Sequence, residues 1–376
     1  MQGFKIARHF ELPTAPSQFF AGSSLNRLSF LRSNREFLNK AFYDHTTRFL
    51  PFCDLNPALL VKDDKLVTLS YPQISKYFTF SPFEHTDKQI AERFSKGESL
   101  PVLVYMGNEE RNGPTDNWSQ HNVFAIDITG IDELQQSIRD NGGTFVNLRS
   151  IFTEQYQLSA SDSGACAFAR SILDWISRYR FCPGCGKRNI PTMGGTKLVC
   201  SDVLLNDDSN CPSKKGINNY QYPRTDPCVI MVILSHDMQH ILLGRALRHP
   251  KGLYACLAGF LEPGESLEEA VVRETYEESG VDVEKVLYYA SQPWPFPQSL
   301  MLACFGIARK NAKIQRDKDL ELEDVRFFSR EEVLRSLEWD AKDGPAPILF
   351  PPKLSIARNL IQAFAYDDWT NSQVKM

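Results

Sequence analysis

What the chain lacks narrows the field first. No stretch of 18 consecutive apolar residues occurs, and the N-terminus has no succession of basic, apolar and small residues of the kind that marks a secretory signal. Neither a membrane span nor export is expected, so the chain is read as intracellular. Basic charge is not in excess: 42 Lys and Arg stand against 46 Asp and Glu, a net charge of −4. That balance gives no electrostatic ground for sequence-independent binding to nucleic acid or to an anionic membrane. An even cysteine framework is missing as well. Nine cysteines, an odd number spread over 376 residues, fit a reducing compartment better than a disulfide scaffold. There are no internal repeats and no long low-complexity tracts. Strand-like and helix-like segments do not alternate regularly, which argues against a doubly wound sheet.

What remains is a globular chain with 42% apolar residues, long enough for two or three domains. Up to about residue 165 the sequence reads as an α+β domain without a chemical motif, with strand character at Leu66–Tyr71, Leu100–Gly107 and Asn122–Thr129. Gly164–Tyr179 repeats apolar residues at helical spacing and reads as a connecting helix. Residues 166–226 are taken as that helix plus a small cysteine-bearing module too poor in apolar residues to fold without a staple. From residue 227 to 368 strands return at Cys228–Leu234 and His240–Ala246, then a helix, further strands, and a C-terminal helix near Leu354–Tyr366; residues 369–376 are a tail.

Within that last domain "LEEAVVRETYEESG", Leu267 to Gly280, is an unusual helix. Ser266 with Glu269 makes a capping box and Gly280 a stop, so the helix is expected over Leu267 to Ser279. Leu267, Ala270 and Val271 share a face, yet that face continues into Glu274, Glu277 and Glu278, with Glu274 and Glu278 within about 20° of Leu267 and Glu277 about 80° to one side. Val272 and Tyr276 read as a second apolar ridge, which would embed the helix and leave the acidic patch in need of cations. Hard divalent ions prefer such oxygens and keep waters for substrate phosphates.

With its upstream loop the pattern is G-x5-E-x7-R-E-x2-E-E-x-G-V, formed by Gly259, Glu265, Arg273, Glu274, Glu277, Glu278, Gly280 and Val281. Leaving Val281 aside, the seven other fixed positions would match by chance about once in 10⁸ starts. The pattern resembles the Nudix box of hydrolases that cleave a diphosphate linked to another moiety. That resemblance implies an α/β/α sandwich at the C-terminus, with Glu274, Glu277 and Glu278 holding Mg²⁺ or Mn²⁺ and Glu265 and Arg273 bracing the loop. Thr275 stands where the family usually has an aliphatic residue. Glu278 is the first choice for general base, since a carboxylate beside an activated water is in reach of its proton.

Eleven residues past the box, "SQPWPFPQS", Ser291 to Ser299, resembles the array that marks NADH pyrophosphatases. The implied reaction splits NADH or NAD⁺ into a nicotinamide mononucleotide and AMP, with NAD-capped RNA as an alternative substrate and a non-catalytic NAD(H) sensor as an alternative class. Flat rings suit a heterocycle, and the resemblance assigns Phe260, Trp294, Tyr222 and Gln292 to the nucleotide, together with the backbone of Ala357 in "SIARNLI". In "ELEDVRFF" it makes Glu321 a further metal ligand. Upstream, Cys182 and Cys185 have the spacing of a zinc knuckle, although such a pair alone also suits redox chemistry. Cys200 and Cys211 stand ten residues apart, across what reads as an insertion. The family's four cysteines imply a structural Zn²⁺ ribbon, and its members imply a homodimer. The terminal Val-Lys-Met is a weak form of a peroxisomal tripeptide, leaving peroxisome or cytoplasm.

Overall fold

The structure is a computed structural model that describes residues 18–78, 81–98, 101–110, 120–152, 156–216, 221–315, 321–339, 344 and 346–366. The C-terminal tripeptide lies outside them. The chain forms two compact units: residues 19–226 together with Pro293–Ser299, and Gln18, Pro227–Gln292 and the residues from Leu300 onward.

The second unit is built on a six-stranded sheet, with order Val283–Trp294, Ser299–Ala308, Asp226–Leu234, His240–Ala246, Leu322–Ser329, and Leu257–Phe260 paired to Asp226–Leu234. Its central strand shows why the unit has three layers. Val229, Met231 and Ile233 enter one core with Ala270 and Val271 of the helix Leu267–Ser279. Ile230, Val232 and Leu234 enter another core with Leu360, Ile361 and Phe364 of the helix Ile356–Ala365. A strand buried on both faces reads as an unbroken apolar run, as "CVIMVIL" does. The α/β/α sandwich expected for this region is the observed one.

The first unit carries a seven-stranded sheet in which Leu103–Glu110 pairs antiparallel with Gln120–Asp127, which pairs parallel with Arg48–Cys53. Leu66–Tyr71 is not the strand expected of it. Lys65–Leu66 forms a short strand and Leu69 a single bridge to Phe49, and a helix starts at Tyr71, because Ser70 and Gln73 close a capping box and Pro72 suits the first helical turn. The connecting helix runs over Ala160–Arg178, capped by the Ser159 hydroxyl, which accepts from the amide of Asp162.

The cysteine module also folds in the first unit. Its hairpin, Asn189–Thr192 with Lys197–Cys200, turns at Gly194 and Gly195, both at positive φ. A Cβ at Gly195 would lie 2.5 Å from the Leu103 carbonyl oxygen, and the amide of Tyr105 donates to the Gly194 carbonyl at 2.8 Å. Only glycine allows the turn to approach that strand so closely.

Candidate active site

The box helix is fixed at both ends as its sequence requires. The Ser266 hydroxyl accepts from the Glu269 amide at 3.2 Å, and the Glu269 carboxylate accepts from the Ser266 amide at 2.7 Å. Gly280 ends the helix at φ 71°. The face turned to the sheet is made of small residues, Ala270, Val271, Thr275 and Ser279. Val272 and Tyr276, expected to form a second buried ridge, are 39% and 40% exposed. The stripe of small residues alone fills the distance between helix and sheet, so the helix is embedded on one side only.

Arg273 organises the carboxylates. Its Nε donates to Glu265 Oε1 at 2.5 Å and its Nη2 to Glu265 Oε2 at 2.9 Å, a bidentate pair. Nη2 also donates to the Phe260 carbonyl, while Nη1 reaches Glu274 Oε1 and Glu277 Oε2, all at 2.9 Å. The guanidinium holds the Glu265 carboxyl well below the usual carboxylate range, at about 2, and Glu265 in turn raises the pKa of Arg273. Glu265 accepts the Glu262 amide at 2.8 Å as well, which closes the loop before the helix. Glu274 is shifted the other way: burial raises its carboxyl against the pull of Arg273.

Gly259 explains where Glu274 can go. A Cβ at Gly259 would lie 1.9 Å from the Glu274 carboxyl carbon and 2.1 and 2.2 Å from its oxygens. The carboxylate occupies the volume that any other residue at 259 would fill. Glu278 is buried and accepts from the Ala258 amide at 3.4 Å, whereas Glu277 is exposed. Burial raises the Cys228 thiol to about 12, with Glu274 and Glu278 adding to the rise, so Cys228 is an inert neighbour of the acidic cluster. Three carboxylates, Glu265, Glu274 and Glu277, thus bond one guanidinium, and Glu278 follows Glu277 on the same helix, so that carboxylates outnumber the guanidinium four to one. Such a donor set fits a hard divalent cation. Arg273 takes one oxygen of Glu274 and one of Glu277, leaving the second of each.

The four cysteines are gathered. Their sulfurs all lie within 4.8 Å of one another, and no other group of three or more His, Cys, Asp or Glu ligand atoms is so arranged among the described residues. Cys182 and Cys211 are 3.6 Å apart and Cys185 and Cys200 3.3 Å, with all four unbonded. The insertion between Cys200 and Cys211 folds back on itself: after the short helix Ser201–Leu205, Asp202 accepts from Asn206 at 2.6 Å and from Ser209 at 2.5 Å, and Ser209 accepts the Cys211 amide at 3.2 Å. Burial works against ionisation of Cys211, but hydrogen bonds from the Ser213 side chain and backbone bring its thiol down to about 7. Four thiols so disposed fit one tetrahedral soft ion.

The residues assigned to the nucleotide fall in different places. In the second unit, Phe260 ends its strand 59% exposed, and the Ala357 carbonyl accepts from the Cys256 thiol at 3.5 Å. Gln292 is fully buried; its amide nitrogen donates to the Leu354 carbonyl and its oxygen accepts the Ile356 amide, both at 2.9 Å. It therefore holds the start of the C-terminal helix that carries Ala357. Glu321 is exposed at the head of the strand Leu322–Ser329, its carbonyl accepting from the Leu247 amide at 3.4 Å. Trp294 and Tyr222 belong to the other unit. Sequence reasoning missed the residues that pack on the Pro293–Ser299 loop, namely Phe20 against Trp294, Arg149 over Phe296 and Arg170 at the Pro295 carbonyl.

Comparison with known proteins agrees with these features. Residues 224–349 match the NUDIX domain family, and residues 26–175 match a family described as an NADH pyrophosphatase-like rudimentary NUDIX domain. The chain is 38% identical over 353 residues to an NAD-capped RNA hydrolase of Macaca fascicularis, covering 92% of this chain and 72% of the relative. It is 32% identical over 361 residues to an NAD-capped RNA hydrolase of Saccharomyces cerevisiae, covering 91% and 94%. A mitochondrial NAD(P)H pyrophosphatase of Mus musculus is 37% identical over 227 residues, 59% of each chain.

Proposed function

The chain belongs to the Nudix hydrolases of the NADH pyrophosphatase type, and from that premise we propose that it hydrolyses the diphosphate of NADH or NAD⁺ to a nicotinamide mononucleotide and AMP. One observation carries the reading: the volume denied to a side chain at Gly259 is filled by the Glu274 carboxylate, beside the Arg273 and Glu265 pair. A helix with no chemical task would have no reason to assemble three carboxylates around one arginine.

Glu274, Glu277, Glu278 and, from the neighbouring strand, Glu321 are the residues that would hold Mg²⁺ or Mn²⁺. Such an ion, when bound, supplies charge neutralisation at the diphosphate and a more acidic water. The protein's own part is to place and move charge. Glu278, buried beside the Ala258 amide, accepts the proton of the attacking water as the new oxygen–phosphorus bond forms and the anhydride bond breaks. Arg273 and Glu265 keep the loop shut against the helix, and Gly280 ends the helix. Phe260, Trp294 and Tyr222 offer flat faces to a heterocycle, and Gln292 acts by fixing the helix start that presents Ala357. Cys182, Cys185, Cys200 and Cys211 bind a structural Zn²⁺, and the chain is a homodimer found in peroxisome or cytoplasm. The relatives of Macaca fascicularis and Saccharomyces cerevisiae, both NAD-capped RNA hydrolases, favour a second substrate, NAD-capped RNA.

The test is product analysis of the purified protein with NADH, NAD⁺, ADP-ribose and a short NAD-capped RNA, with and without Mg²⁺, beside Glu277→Gln. Metal-dependent release of AMP and nicotinamide mononucleotide, lost in the variant, is expected; NAD-RNA cleaved at the lowest enzyme concentration would make it the principal substrate. Binding of NADH without turnover of any substrate would leave a sensor instead.

A further inference from the structure

The array that follows the box links the strands Val283–Trp294 and Ser299–Ala308. Residues Pro293–Ser299 belong to the same compact unit as residues 19–226, and the contacts there are specific. The ring of Phe296 lies 5.3 Å from that of Trp294 and 5.9 Å from that of Phe20, both edge-on, and Phe20 reaches Trp294 at 6.5 Å. Two guanidinium groups stand over the Phe296 ring, Arg149 at 4.3 Å and Arg170 at 5.5 Å. Cations over an aromatic face are attracted to it, more so when partly desolvated.

Arg170 does more than stack. From the middle of the helix Ala160–Arg178, its Nε donates to the Pro295 carbonyl at 2.9 Å and its Nη1 to the Leu55 carbonyl at 3.3 Å. Leu55 is half of the two-residue Asp54–Leu55 turn between Arg48–Cys53 and Asn56–Leu60; both turn residues have positive φ, 48° and 63°, as a tight hairpin requires. One side chain therefore ties the array's backbone to a rigid hairpin. Prolines 293, 295 and 297 remove three amides from the array, so it has few ladder bonds of its own and depends on outside donors. Phe20, 2% exposed and with its amide donating to the Ser163 hydroxyl at 3.4 Å, closes the other side.

We infer that Arg170 is a positioning residue for substrate recognition: the N-terminal unit, through Arg170 and secondarily Arg149, sets the pose of Trp294 and so the affinity for the dinucleotide. The inference rests on the reading that the array meets the dinucleotide. It gives the unit without catalytic carboxylates a task in the reaction.

The experiment uses the full chain. Arg170→Met keeps the stem and removes both donors and the charge, Arg170→Lys returns the charge and one donor, and Arg149→Ala removes only the outer cation. Hydrogen exchange by mass spectrometry at the amides of Trp294, Phe296 and Gln298 reads the array directly, and steady-state kinetics with NADH read its effect. In Arg170→Met exchange at these amides quickens and KM rises about tenfold, as expected for losing a charged hydrogen bond, while kcat stays within about twofold. Arg170→Lys recovers part of both, and Arg149→Ala shifts both slightly in the same direction, which keeps the test alive if Arg170→Met does not fold. Unchanged exchange overturns the inference, and so does a fall in kcat at constant KM. If the unaltered protein does not turn over NADH, the proposed function fails, and exchange alone then decides whether Arg170 positions the array.

Discussion

In the N-terminal unit the densest feature is a knot of rings: Phe42 meets Phe49, Phe78 and Phe124 at 5.6, 5.8 and 6.3 Å, and Phe49 stacks on Phe124 at 5.5 Å. In the Nudix unit it is a knot of charge, with Arg273 bonded to three carboxylates. Ion pairs exist in the first unit too, but they lie apart. Lys76 and Glu133 meet at 2.7 Å with side chains 62% and 77% exposed, a geometry that contributes little. Residues 26–175 nonetheless match a rudimentary form of the same family. Family resemblance of a domain therefore does not by itself bring the site, which lies in particular side chains.

The comparison breaks most visibly if a carboxylate matters equally in both units. Glu278→Gln is expected to lower kcat about 10²- to 10⁴-fold, the range for losing a general base, whereas Glu133→Gln leaves turnover unchanged; equal losses would show that the contrast is false. A smaller effect concerns stability. Thr275 is fully buried and its hydroxyl finds no hydrogen-bond partner among the described residues, so Thr275→Val removes an unpaired polar group at constant shape. A gain of about 1 kcal/mol in denaturant unfolding is expected, and a loss would mean that the hydroxyl has a partner after all.

The smallest effect is one of pH. The Glu265 carboxyl is depressed in the folded state to about 2, below the roughly 4.3 of an unfolded chain. Its stabilising contribution is complete above the unfolded value and disappears as pH falls through the folded one. The Tm gap between the unaltered protein and Glu265→Gln should be constant from pH 7 to about 5 and close between about 4.3 and 2. A gap that persists at the acid end would remove Arg273 as its cause.

The sequence announces the box because box chemistry is local: Ser266 with Glu269, and Arg273 with its neighbours, are within a helix and the loop before it, where spacing dictates geometry. The double-sided burial of Cys228–Leu234 is legible for the same reason. Orientation about the helix axis was harder. Val272 and Tyr276 are apolar yet exposed, since a helix packed through alanine, threonine and serine needs no second ridge. Long-range partners were not legible. Arg170 and Pro295 stand 125 positions apart, and Gln292 and Ile356 stand 64 apart; no periodicity links them. The strand expected at Leu66–Tyr71 failed because β-type composition yields to a capping box and a proline.

The membership of Pro293–Ser299 in the N-terminal unit has a consequence for how such chains can be recombined. A chimaera joined at the obvious border, near residue 226, would inherit the Pro293–Ser299 loop from one parent and the Phe20, Arg149 and Arg170 that pack against it from the other. Inheritance of that packing is thus split across a covalent boundary, and a successful exchange has to carry the seven-residue loop along with the module that precedes it.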